Sequence, residues 1–180
     1  MKPIIFSTPM VQAILEGRKS MTRRVVKPSI IENHPGWHWE SDIKAKHVFA
    51  PYQPGDVLWV RETWAKREWS KGRYYYKATP ELGWCNREGD RWRPSIFMPR
   101  EAARIFLRVK AVRAERVQEI TEADALDEGY PNYTSIVEYE RGDARGWFMN
   151  YWDELNAKRG YTWAMNPWVW AVYIEKGERQ

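Results

Sequence analysis

The chain has 180 residues, a formal net charge of +5 and one cysteine. That length suits a single domain able to bury a core, and no apolar run is long enough for a membrane-spanning helix. The opening apolar stretch is too short for a secretory signal, and one cysteine excludes an internal disulfide framework, so a cytoplasmic location is expected.

The moderate excess of positive charge favours acidic partners. The chain also carries 12 tryptophans and 10 tyrosines. Aromatic rings interleaved with arginine suit a surface that handles nucleobases, because rings stack on bases and guanidinium groups hold phosphate. Most of these rings are expected in the core, with two or three at a site.

In chain order, Ile4-Ile5-Phe6 reads as a short opening strand. Ser7 or Thr8 can cap a first helix with Pro9 in its first turn. Met10, Val11, Ile14 and Leu15 recur at helical spacing, and Gly17 stops the helix. The chain then turns extended through Gly17-Arg18-Lys19-Ser20-Met21-Thr22-Arg23-Arg24. Residues two apart in an extended run share a side, so Thr22 and Arg24 face one way, with Lys19 in the turn before them. The result is a small electropositive site of two cations and a hydroxyl, or else a solvated basic turn.

Residues 29–50 lose all periodicity. His34, His38 and His47 fall in or near this polar stretch, but their spacing matches no ligand motif, and no metal or cofactor is expected. Cys85, in a polar loop without a second cysteine or a nearby histidine, is read as an incidental thiol. Pro54-Gly55-Asp56 is a tight turn. Val57 to Trp64 reads as a strand with Val57, Trp59 and Arg61 on one face and Leu58, Val60 and Glu62 on the other. Arg61 and Glu62 at the end of an apolar strand either join ion pairs or reach into a cleft.

Arg73 to Ala78 reads as another strand, Arg93 to Pro99 as an extended edge, and Pro99 to Arg104 as one helical turn. Ile105 to Arg113 is the clearest strand by alternation. Thr121 caps a short helix, Glu122 to Glu128, which Gly129 closes. Glu128 therefore stands at a helix C-terminus, where its charge opposes the dipole, which either favours its protonated form or calls for a cation from elsewhere. Residues 143–158 are helical, Gly160 ends that helix, and Trp168 to Glu175 is the last strand. The polar tail is expected to fray. Strands at both ends and in the middle, with short helices between, predict an α+β fold with a compact, mainly antiparallel barrel.

Gly17, Lys19, Thr22 and Arg24 together resemble the G-x-K-x-x-[ET]-x-R signature of the ASCH domain, a relative of the PUA fold associated with RNA. The likeness extends to Pro54-Gly55-Asp56-Val57-Leu58-Trp59-Val60, to Thr121-Glu122-Ala123-Asp124-Ala125-Leu126-Asp127-Glu128 and to the closing strand from Trp168. It implies one PUA-like domain over 1–180, with inserts near 29–50, 67–93 and 130–142. The chain looks most like the larger ASCH-type proteins of phages and prophages.

The threonine form of the signature is similar to small ASCH enzymes that hydrolyse the acetyl amide of N4-acetylcytidine. That likeness implies Lys19 as proton acceptor, Thr22 as nucleophile and Glu128 as proton donor. Amide hydrolysis needs those three roles, and a lysine serves as base only when burial or neighbouring cations lower its pKa. The alternative is a module that binds RNA, a nucleoside or a modified base without catalysis. In both readings Arg24, Arg61, Trp59, Trp64 and Glu62 are candidates for holding the base and its phosphate. A third reading makes Lys19 and Glu128 a buried structural ion pair.

Overall fold

A computed structural model of the chain describes residues 1–27, 50–66, 73–79, 91–131 and 144–178. The three histidines, Cys85 and most of each expected insert lie outside the described residues.

Seven strands and three α-helices are described. They are β1 (Lys2–Ile5), α1 (Thr8–Leu15), β2 (Met21–Val25), β3 (Val57–Arg61), β4 (Trp64–Lys66), β5 (Tyr74–Tyr76), β6 (Phe106–Arg116), α2 (Glu122–Asp127), α3 (Ala144–Asn156) and β7 (Trp168–Gly177). A five-stranded sheet runs in the order β1-β3-β6-β7-β2. The β1–β3 pair is parallel and the other three pairs are antiparallel. The strands β4 and β5 form a separate hairpin ladder.

The class is thus mixed α+β and mainly antiparallel, as expected. The described strands do not close a barrel: β1 and β2 are the two sheet edges and do not pair with each other. Instead the Arg24 guanidinium, on β2, donates to the Ile5 carbonyl of β1 at 2.9 Å. A side chain stands where a ladder bond would be.

Local signals explain most element ends. Ser7 occupies the N-cap of α1, with a proline in the first turn, but its side chain makes no capping bond. Gly17 takes φ +77° and lets the chain leave α1 toward β2. Thr121 accepts from the Asp124 amide at 3.1 Å and so caps α2. The expected strand from Val57 to Trp64 is broken after Arg61 into β3 and β4. Arg93 to Pro99 is not an extended edge: Ser95–Phe97 coils into a 3-10 turn, and only Arg93 bridges to Trp64.

The long strand β6 holds the departure that matters most for the site. A bulge between Val109 and Ala111 shifts its register against β7. A bulge reverses the side to which later residues point. Leu107 and Val109 face the main core before it, and Ala114 does so after it. Arg113 and Glu115 are thereby turned to the opposite side, toward β2 and α2. Ile4, Phe6, Met10, Val11, Leu58, Val60, Trp168 and Trp170 complete the main core. A second cluster holds Trp59, Trp64, Met98 and Phe106, and a third packs α3 through Phe148 and Trp152 onto Val169. Most described tryptophans serve these cores. No described helix is long and apolar enough to cross a membrane.

Candidate functional site

Lys19 emerges just after α1, at the only point where the chain passes between that helix and β2. Its backbone forms an isolated bridge with Glu128. The neighbouring Ser20 amide donates to the Asp127 carbonyl at 2.9 Å, and the Arg18 guanidinium donates to the Gly129 and Tyr130 carbonyls at 3.0 Å each. The signature turn is thus fastened to the end of α2, over a hundred residues downstream.

Gly129 makes this approach possible. It has φ +98°, and a Cβ there would stand 3.0 Å from the Ala13 Cβ and 3.3 Å from the Lys19 Cβ. Both the left-handed backbone and the tight contact call for glycine.

The Lys19 ammonium donates to a Glu128 carboxylate oxygen and to the Glu128 carbonyl, each at 2.7 Å. The two side chains are 1% and 3% exposed. Burial lowers the Lys19 pKa below its ordinary 10.5; the Glu128 partner opposes that shift, and Arg24 and Arg23 add to it. A base kept out of water loses its proton more readily because the charged form forfeits hydration.

Arg23 is the residue that sequence reasoning underrated. Its side chain is fully buried. Its Nε donates to Glu115 at 2.7 Å, one terminal nitrogen to Asp124 at 2.9 Å, and the other to Glu128 at 3.2 Å. Arg113 reaches the same network from the solvent side and binds both Glu115 and Asp124. Three cations (Lys19, Arg23, Arg113) meet three carboxylates (Glu115, Asp124, Glu128), so the cluster is neutral in sum. A buried ionic group persists only when paired and hydrogen-bonded in this way. The acidic residues of α2 carried a signal for Asp124. Nothing in the sequence marked Glu115, whose direction depends on the bulge.

Lys19, Thr22 and Glu128 all line one cleft of about 860 Å³. Arg24 lines it too, with its guanidinium 5.2 Å from the Phe6 ring. Arg61 lies in the cleft wall and rests 5.4 Å over the Trp59 ring, and its buried Nε finds no hydrogen-bond partner among the described residues. Lys27 and Arg159 add further positive charge, and Glu128 is the one carboxylate in the described lining. The aromatic walls are Phe6, Tyr52, Phe148, Tyr151, Trp152 and Tyr161. Burial raises the Tyr52 and Tyr151 phenols above their ordinary 10, so both remain hydrogen-bond donors at neutral pH.

Three residues expected at the site stand elsewhere. Trp59 and Trp64 pack in the second core cluster with Met98 and Phe106. Glu62 is 1% exposed and is gripped by Arg104, whose Nε and a terminal nitrogen each donate at 2.9 Å. The break after Arg61 separates the pair: Arg61 turns to the cleft and Glu62 to a structural salt bridge. The aromatic side chains that line the cleft come instead from α3 and the loops, where no motif pointed. No group of three or more His, Cys, Asp or Glu side chains suited to a metal is found among the described residues.

No family model matches the chain, and no curated protein matches it. The solved structures that resemble it in part include two proteins. One is a protein of Enterococcus faecalis V583 assigned to the DUF984 family, with 10% identity and a TM-score of 0.43 over 92% of this chain and 65% of that one. The other is an ASCH domain of Lactobacillus crispatus JV V101, with 13% identity and a TM-score of 0.43 over 92% of this chain and 70% of that one. The chain thus spans just under two thirds of the enterococcal protein's length. At this level of superposition neither protein lends this chain a property.

Proposed function

We propose that the protein is an amidohydrolase acting on an N-acylated nucleoside or base of the N4-acetylcytidine kind. One observation carries this reading: the Lys19 ammonium and the Glu128 carboxylate lie 2.7 Å apart, buried, on the wall of the cleft that Thr22 also lines.

The pair holds one mobile proton. With that proton on Lys19 it is an ion pair; with it on Glu128 it is a free amine beside a carboxylic acid. The second form has both tools the reaction needs. The amine takes the Thr22 hydroxyl proton as the oxygen attacks the acyl carbon. The acid protonates the exocyclic nitrogen as the carbon–nitrogen bond breaks. The new ammonium then returns its proton across the same short bond to the carboxylate. Lys19 then takes a proton from water as its oxygen attacks the acyl carbon, and passes that proton to the departing Thr22 oxygen, so that the acyl group leaves as a carboxylic acid and the threonine hydroxyl is restored.

Burial favours the neutral amine of Lys19, the form that accepts the proton. Arg24, which lines the same cleft, is the cation assigned to the developing oxyanion. The ASCH-like signature of Lys19, Thr22 and Arg24 supports the same assignment.

The experiment is incubation of the purified protein with N4-acetylcytidine and related N-acylated nucleosides, followed by ultraviolet absorbance. The expected result is turnover that Thr22→Ala abolishes and Thr22→Ser partly keeps. A protein that binds these nucleosides without converting them overturns the hydrolase.

A second reading, a non-catalytic module for RNA or a modified nucleotide, is favoured by the excess of cleft cations. Arg61 in particular has a buried Nε–H without a partner among the described residues. In that case Lys19→Ala weakens binding and no reaction is lost.

A further inference from the structure

Beside the cleft stands an apolar projection that the mechanism leaves unused. Ile96 and Phe97 are 57% and 70% exposed. They sit on the 3-10 turn Ser95–Phe97, closed by Phe97 and Met98 amides donating to the Pro94 and Ser95 carbonyls at 3.0 Å each. Pro94 and Pro99 bracket the turn, and Met98, 1% exposed, anchors it in the second core cluster. The ring of Phe97 is therefore presented on a stiff support, with little entropy left to lose on contact.

The surroundings select the partner. Arg93 and Arg100 flank the turn in sequence and are exposed. The nearby carboxylate of Glu101 takes a hydrogen bond from Tyr74. Ser95, the first residue of the turn, belongs to the cleft wall, as does Arg61, whose Nε is unpartnered among the described residues. The Arg93 guanidinium lies 5.2 Å over the Trp64 ring and Arg100 reaches the Met1 sulfur. An exposed ring flanked in sequence by two exposed arginines, on a turn that joins a cationic cleft, complements a chain that alternates flat apolar faces with negative charge. A second copy of a chain with net charge +5 is repelled by the same arginines.

We propose that the cleft takes its base from a polynucleotide strand, and that Phe97 is the platform on which the neighbouring base stacks. Arg93 and Arg100 pair with the strand's phosphates on either side. Base–aromatic stacking tolerates any sequence, so the platform adds affinity without reading the flanking base. The inference rests on the nucleobase reading of the cleft and extends it from a free nucleoside to a residue within a strand.

Fluorescence anisotropy with a labelled 12-nucleotide cytidine-containing RNA, and with DNA of the same sequence, tests it. Phe97→Ala is expected to weaken strand binding by about tenfold or more, while turnover of free N4-acetylcytidine stays unchanged. Arg93→Gln and Arg100→Gln are each expected to lower the slope of log affinity against log salt by about one. The RNA and DNA arms tell which sugar the strand carries, and binding of either kind supports the platform. Undiminished strand binding by Phe97→Ala overturns the proposal. So does a wild-type protein that ignores both strands but binds anionic phospholipid vesicles or self-associates through Phe97. Failure of nucleoside turnover with strand binding intact overturns the hydrolase alone.

Discussion

The Lys19 ammonium donates to both the side chain and the backbone carbonyl of Glu128, a residue 109 positions away in sequence. The double contact fixes the lysine's direction and the acid's together, since neither group can turn without breaking a short bond.

If the pair and Thr22 act as proposed, Glu128→Gln lowers kcat/KM toward N4-acetylcytidine by about 100- to 10,000-fold. Thr22→Ala does the same or more. Steady-state kinetics read the effect, and circular dichroism checks that the fold persists. A fall confined to KM points to binding and not to chemistry.

Activity is expected to fall as pH rises through the Lys19 value, which burial holds below the ordinary 10.5, because the pair then gives up the proton that the leaving nitrogen needs. Lys19→Arg, which stays charged, is expected to be inactive over the whole range. Stability follows the same group. Between the lowered native pKa and 10.5 the unfolded chain binds a proton that the native lysine has released, so stability rises with pH there. Below the native value both states are charged and the burial penalty is present in full. Buried Tyr52, Tyr76 and Tyr151 act the other way above pH 10, since their raised pKa values keep the native phenols protonated after the unfolded ones ionise. Urea denaturation between pH 7 and 10, compared with Lys19→Met, isolates the lysine.

Arg23→Met is expected to destabilise the fold by about 3–5 kcal/mol, because Glu115, Asp124 and Glu128 then lose their shared buried partner. The midpoint of chemical denaturation measures it. Arg23→Lys, which keeps a positive charge among the three carboxylates, is expected to lose less, and the comparison distinguishes this cause from a simple cavity.

Arg104→Ala is expected to cost about 2–3 kcal/mol by stranding the buried Glu62 carboxylate, with KM and kcat unchanged. The same measurements on Glu62→Gln should agree. A change in KM for either variant would return Glu62 to the site.

Much of the local structure was legible in the sequence. Helix α1, its stop at Gly17, the Thr121 cap, the Gly129 and Gly160 ends and the last strand follow from side-chain periodicity and from backbone rules that act over a few residues. The motif also marked Lys19, Thr22 and Arg24 as one local group. Glu128 was recognisable as a carboxylate at the wrong end of a helix, in need of a cation.

Tertiary structure alone decided what surrounds that group. One extra residue at the Val109–Ala111 bulge turned Glu115 toward Arg23. The break between β3 and β4 sent Arg61 into the cleft while Glu62 went to Arg104. Trp59 and Trp64 were drawn into the core, and helix α3 supplied rings to the cleft in their place. Periodicity tells which residues share a face of one element. Which face meets which partner depends on how elements pack, and a bulge or strand break changes that with almost no trace in composition.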